Sequence, residues 1–261
     1  MGNKVYLIDG GQLQQDQSMV TFAIGAGQKI WAQVYSAYVE TPEARILIET
    51  GMDPDSWTPK LKHILVPKQD PEQRLDNALK KIGVKPEEID IVINTHLHVE
   101  HCGLNRLFKN ATWIVHREEL RAALIPEVFE STYFRPSFDV GLTTKLISGD
   151  YEVAKGVGIL ETAGHTAGHL AISVETDKSG VFLFTGDTSM SRENFWGSER
   201  TSPVGWPCAT SIDQRAAMRS LERIRDYVQS TRAKAMKNCE PIYSHDSAEF
   251  SKWKHAPEAY E

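Results

Sequence analysis

The ten residues Asn94-Thr95-His96-Leu97-His98-Val99-Glu100-His101-Cys102-Gly103 constrain this chain more than any other stretch, because three histidines and one carboxylate fall within six positions. They follow an apolar run, Ile91-Val92-Ile93, that reads as a buried strand. His96 and His98 alternate as strand-end residues do and can point at one centre. Glu100 and His101 can serve a second as the chain turns toward Gly103. Imidazoles and carboxylates are ligands for divalent zinc, iron or manganese. The competing reading is a solvated polar loop that happens to hold histidine. Three later segments argue against it: Ala163 to His169, Phe184-Thr185-Gly186-Asp187 and Tyr243-Ser244-His245-Asp246. Each sets a ligand-type residue just beyond an apolar, strand-like run.

In order, spacing and flanking glycines, these four segments resemble the metallo-β-lactamase superfamily, whose signature is His-x-His-x-Asp-His followed by His, Asp and His. The resemblance implies an α+β fold, a four-layer αββα sandwich, with a dinuclear metal site at its edge. It further implies one centre held by His96, His98 and His165 and another by Glu100, His101 and His245, with Asp187 bridging. Asp187 and Glu100 are then the carboxylates expected to act in catalysis. Glu100 departs from the pattern, since the family has aspartate there. The cofactor expected is a pair of divalent ions, zinc first, with Fe2+, Mn2+ or Co2+ as alternatives.

Within the superfamily the chain resembles the N-acyl-homoserine lactonases and the related pyridoxolactonases over nearly its whole length. The likeness rests on Lys4 to Gly11, Ile48-Glu49-Thr50-Gly51, Asn94 to His98, and a tail running from His245-Asp246 through Phe250 to Glu258-Ala259-Tyr260-Glu261. It implies hydrolytic opening of a lactone ring with two metals and no organic cofactor. Two metals lower the pKa of a shared water toward neutrality, so no protein nucleophile is required. That agrees with the lack of a Gly-x-Ser-x-Gly elbow. Those lactonases place a substrate-holding tyrosine three residues after the bridging aspartate, where this chain has Met190, which cannot donate a hydrogen bond. Ser189, Ser191 and Tyr133 are candidate replacements, and Met190, Tyr133, Phe134 and Arg135 are the substrate-binding residues expected. Two other readings stay open: a hydrolase of amides, thioesters or phosphoesters on the same site, and a non-hydrolytic diiron or ligand-binding protein.

Composition narrows the partners. With 41% hydrophobic and 25% charged residues the 261-residue chain can bury a sizeable core. A net charge of −6 argues against a nucleic-acid surface. No run approaches the roughly 18 apolar residues of a membrane span. The start, Met1-Gly2-Asn3-Lys4-Val5, enters a strand without a signal-peptide core, and Tyr6 removes the serine or threonine a myristoylation site would need. Cys102, Cys208 and Cys239 are too few and scattered for a disulfide framework. A cytoplasmic protein acting on a small molecule, as monomer or homodimer, is expected.

Along the chain, Val5 to Gly11 reads as a strand ending in a glycine turn, with a loop or an irregular edge from Gln12 to Lys29. Strands are expected at 33–39, 44–51, 111–115, 158–160, 170–174, 181–184 and 241–243. Leu75, Leu79 and Ile82 mark a helix closed by Gly83, and Glu118 to Ala123 another. Met52 to Asp70 is either a lid or dimer segment or a surface excursion. Pro126 to Asp139 is either a packed helix face or an apolar pocket wall. Ser211 with Gln214 reads as a capping box before a helix whose apolar stripe is Ala217, Leu221, Ile224 and Val228. His169 is expected to pack behind the loop, or to orient a ligand, rather than bind metal. Cys102 is expected to pack beneath the loop, and Cys208 and Cys239 to be ordinary thiols. No role is assigned to His63, His116 or His255. With neither linker nor repeat, one domain over 1–261 is the economical organisation.

Overall fold

The computed structural model describes residues 2–199, 204–235 and 238–261. Strands β1 (Lys4–Asp16), β2 (Lys29–Glu40), β3 (Arg45–Ile48), β4 (Val66–Lys68), β5 (Ile91–Ile93), β6 (Thr112–His116) and β7 (Thr143–Ile147) form one sheet in the order β4-β1-β2-β3-β5-β6-β7. Strands β8 (Tyr151–Ala154), β9 (Val157–Glu161), β10 (Leu170–Glu175), β11 (Val181–Phe184) and β12 (Cys239–Ile242) form the second, ordered β12-β11-β10-β9-β8.

Strands β5 and β11 are apolar at every position, and the layering explains why. Side chains alternate faces along a strand. Ile46, Ile48, Ile93 and Ile114 of the first sheet meet Ile172, Val174, Phe182 and Phe184 of the second in one core. Leu47, Val92, Trp113 and Val115 point the other way, against Leu75, Leu79 and Ala123 of two covering helices. On the far side, Ala171, Val181 and Leu183 pack against Leu221, Ile224 and Val228 of the helix Gln214–Ala235. Helix, sheet, sheet, helix is the expected αββα order. A strand covered on both faces has no use for polar alternation.

Two local readings need correction. β1 does not end at its glycines; it runs on to Asp16, and its pairing with β2 slips between Asp9 and Gln12. Gly11 adopts φ +92°, and a Cβ there would lie 2.6 Å from the Lys68 carbonyl, so the glycine makes a bulge rather than a turn. The long helix is capped by Asp213, whose Oδ1 accepts from the N–H groups of Arg215 and Ala216. Gln214 meanwhile donates to the Cys208 carbonyl, so Ser211 and Gln214 form no capping box. Met52 to Asp70, read as a lid or dimer segment or a surface excursion, packs Trp57, Leu61 and Leu65 against Leu13, Val34 and Val99.

The strand directions gather the ligand segments. β3, β5 and β6 run parallel, as do β11 and β12, so the loops leaving β5, β11 and β12 emerge at one edge with the β9–β10 loop. Among the described residues no helix is long and apolar enough to cross a membrane.

Candidate metal centre

His96 and His98 lie in the loop leaving β5, and Glu100 and His101 in the single helical turn Val99–Cys102 that follows. His165 sits between β9 and β10, Asp187 in a turn after β11, and His245 just after β12. The structure brings all seven together as two groups. His96, His98, His165 and Asp187 form one, Glu100, His101 and His245 the other, and within each the donor atoms lie within 4.8 Å of one another. Asp187 faces both. Its Oδ2 is 3.2 Å from His165 Nε2 and 3.8 Å from His96 Nε2. Its Oδ1 is 3.4 Å from both His101 Nε2 and His245 Nε2.

The groups behind each imidazole set which nitrogen faces inward. His245 Nδ1 donates to the Gln33 carbonyl at 2.7 Å, and His96 Nδ1 is 2.9 Å from the Thr95 hydroxyl. Cys208 Sγ lies 3.4 Å from His165 Nδ1. All three thereby present Nε2, whereas His98 presents Nδ1, 3.1 Å from His96 Nε2 and 3.4 Å from His165 Nε2. Such outer partners fix tautomer and ring orientation for metal binding.

Several facing atoms are buried and have no hydrogen-bond partner: Asp187 Oδ1 and Oδ2, Glu100 Oε2, His101 Nε2 and His245 Nε2. Orphaned polar atoms converging in a dry site are costly unless a cation satisfies them. Burial pushes His98 down to about 3, and burial with neighbouring imidazoles holds His96 and His165 well below their usual range. Those three are neutral lone-pair donors at pH 7. Burial opposes ionisation of Asp187, but His245 and His101, both shifted toward the charged form, outweigh it and hold the carboxyl well below its ordinary value. Imidazoles around an ionised carboxylate are the donor set a divalent ion takes; His101 and His245, which Asp187 shifts toward the charged form, would give up their protons to it. The residues fit such ions.

Supporting residues account for the precision of the site. Glu49, a non-glycine at φ +61°, accepts from the Thr95 N–H through Oε1 and sets Oε2 3.5 Å from His101 Nδ1. Side chains rarely adopt this left-handed conformation, which clusters at functional sites. Asn94 donates to the His101 carbonyl while accepting from Asn105 and Trp113. His169 is no ligand: its Nε2 accepts the Asp187 N–H at 2.9 Å and its Nδ1 meets the hydroxyls of Thr162 and Thr188. Gly186, at φ +50°, leaves room for it, since a Cβ would come within 2.6 Å of His169 Nε2. Cys102 lies under the loop with Sγ donating to the Leu97 and His98 carbonyls. Cys208, expected to be an ordinary thiol, instead touches His165. Glu49 had a visible signal, a carboxylate directly after an apolar strand; Cys208 had none.

A cleft of about 440 Å³ opens over His98, Glu100, His165 and Asp187. Met190 lines it, but Tyr133, Phe134 and Arg135 do not. The Tyr133 hydroxyl donates to Glu119, with its ring edge-on to His98. Phe134 packs on the cluster around Trp57, and Arg135 pairs with Asp139 at the surface. In their place Phe129, Glu130, Ser131 and Thr132 form the wall. The suggested donors are committed as well, Ser189 to the Ser191 carbonyl and Ser191 to Asn194. The hydroxyl-bearing residues that line the cleft are Ser131, Thr132 and Thr210.

This architecture and donor arrangement define a class. Residues 30–233 match the model of the metallo-beta-lactamase superfamily, and the chain belongs to that superfamily. Among its relatives is an N-acyl homoserine lactonase of a Bacillus species, 34% identical over 232 residues that span 86% of this chain and 88% of the relative. The structure superposes on an N-acyl homoserine lactone hydrolase holding the product N-hexanoyl-L-homoserine at its catalytic metal center, with TM-score 0.83, 31% identity and 98% of each chain covered. A mutant of the Bacillus thuringiensis protein AiiA with bound N-decanoyl-L-homoserine gives the same TM-score, identity and coverage.

Proposed function

We propose that this protein hydrolyses the ring ester of N-acyl homoserine lactones or closely related lactones, using two divalent ions, with zinc the first choice for so imidazole-rich a donor set. The observation that carries the proposal is Asp187, whose two carboxylate oxygens face separate groups of donors at the floor of one cleft. Ions held by His96, His98 and His165 on one side and by Glu100, His101 and His245 on the other would supply Lewis acidity and a water acidified to near neutrality. The remaining work falls to the chain. Asp187, ionised and buried, can orient the attacking water, take its proton and return it to the leaving alkoxide oxygen. Glu100, buried beside His101, adds charge that favours cation binding. Met19, Ile64, Leu65, Phe129, Met190 and Ile212 give the cleft an apolar side suited to an acyl chain.

The donors come from both sheets, so the proposal treats 1–261 as one catalytic domain. The three cysteines are free and buried, which suits a reducing cytoplasm. An enzyme of this kind would silence acyl-homoserine lactone signals. The test is a pH-indicator assay on metal-quantified protein against acyl-homoserine, simple γ and δ, and aromatic-fused lactones, with aryl esters and phosphodiesters alongside. Acid release from an acyl-homoserine lactone, lost on chelation and restored by zinc, is the expected result. Silence on every lactone with both metals bound would move the assignment to another ester or amide.

A further inference from the structure

Glu119 is a buried carboxylate outside the metal-facing groups, and it touches three segments that must be in register for the site to exist. It lies on the inward face of the helix Arg117–Leu124 and is 1% exposed. Its Oε1 accepts the Leu97 N–H at 2.9 Å, between His96 and His98 in sequence, and the Tyr133 hydroxyl at 3.0 Å. Its Oε2 accepts the Gly168 N–H at 3.1 Å, in the loop that carries His165. The approach leaves no slack: a Cβ on Gly168 would sit 2.3 Å from the Glu119 backbone nitrogen. Burial raises the Glu119 pKa, and the donors around it pull the other way.

We infer that Glu119 is a positioning residue that locks the β5 loop to the β9–β10 loop and so sets the spacing of His96, His98 and His165 toward one cation, without binding it. An apolar side chain here would leave the buried Leu97 and Gly168 N–H groups without partners. A carboxylate is required because all three partners are donors and only an acceptor with two free oxygens serves them. Glutamine keeps the shape but turns an NH2 toward the Gly168 N–H, donor against donor.

This inference rests on the proposal that the site holds metal, and zinc competition with a chromophoric chelator on the full chain separates the two. In a His245→Ala background, which disables the other group, E119Q should weaken zinc binding by roughly tenfold or more, as loss of outer partners does. In a His98→Ala background E119Q should change the remaining affinity far less. Equal weakening in both backgrounds, or none in either, would reduce Glu119 to a structural role and overturn the inference. A wild-type chain that takes up no zinc would overturn this inference and the metal proposal together, whereas two tight zincs unaffected by E119Q would overturn this one alone. Should E119Q fail to fold, Tyr133→Phe removes one donor and keeps the carboxylate. A smaller loss confined to the same centre is then expected, and unchanged affinity in that folded variant would overturn the inference.

Discussion

The floor of the cleft and its mouth are built on opposite rules. At the floor, most inward-facing donors have an identifiable brace behind them: Thr95 for His96, Gln33 for His245, Cys208 for His165, Glu49 for His101 and His169 for Asp187. At the mouth, Phe129 lines the cleft while 69% exposed, and Ile125 and Val128, just before it in sequence, stand in solvent at 86% and 100% exposure. Fixed geometry suits chemistry, where small displacements are costly. Loosely held apolar surface suits a chain of variable length. Changes at the floor should therefore alter whether the enzyme works, and changes at the mouth, what it works on.

The most severe way to break this contrast is Asp187→Asn, which keeps the shape and removes the charge shared by both groups. Turnover is expected to fall by about a thousandfold or more, in line with losing a preorganised electrostatic group, while circular dichroism stays native. Full activity in metal-checked protein would end the bridging role. The next largest effect concerns pH in metal-stripped protein. His98 and His169 have folded pKa values near 3 against 6.5 when unconstrained. As pH falls from 6.5, the unfolded chain binds protons that the native chain refuses, so stability must fall. His101 and His245, shifted upward, oppose this fall near pH 6.5, where the unfolded imidazoles are only half protonated, and their contribution fades toward pH 5, leaving the downward-shifted imidazoles to set the slope. A drop in melting temperature of roughly 5 °C or more between pH 6.5 and about pH 5 is expected. A flat profile would mean that these imidazoles are not held neutral.

Glu100→Asp sharpens the comparison from inside the floor. The glutamate reaches to within 4.8 Å of the donors of His101 and His245 from a backbone fixed by the Val99–Cys102 turn. The shorter side chain is expected to weaken one of the two metals about tenfold, as judged by chelator competition. Undiminished metal content would show that the turn can advance. The mildest change is Phe129→Ser at the mouth. Activity on a long-chain acyl lactone should fall about three- to tenfold relative to a short-chain one, the value of partial burial of a few methylenes, with metal content untouched. Equal losses on both substrates would place Phe129 in the machinery.

The same division governs what could be read from the sequence. That these seven residues come together could be expected because each lies just beyond an apolar, strand-like run, but their division into two groups came from the resemblance to the metallo-β-lactamase superfamily. The layers followed from those runs as well. Glu119 was hidden because it sits in Arg117-Glu118-Glu119, where charge alone does not distinguish the inward carboxylate from the solvated one. Only the helical spacing to Ala123, four residues on and also buried, separates them. β7 was missed because four of its five residues are exposed, which leaves no apolar signature. Phe134 and Arg135 were drawn to the pocket by residue type, but the chain there turns into the short helix Arg135–Phe138 and carries them away. Residue type locates a mouth poorly, since its side chains obey no periodicity.

Each group of donors draws on both sheets, with His96 and His98 set against His165 and Asp187, and Glu100 and His101 against His245. An ion in either position would therefore be a rivet through the sandwich, fastening the edge at which the sheets would otherwise part first. Under a pulling force, the loaded protein should resist separation of the sheets until the coordination bonds give way. Stripped of metal, it should open from that edge like a book.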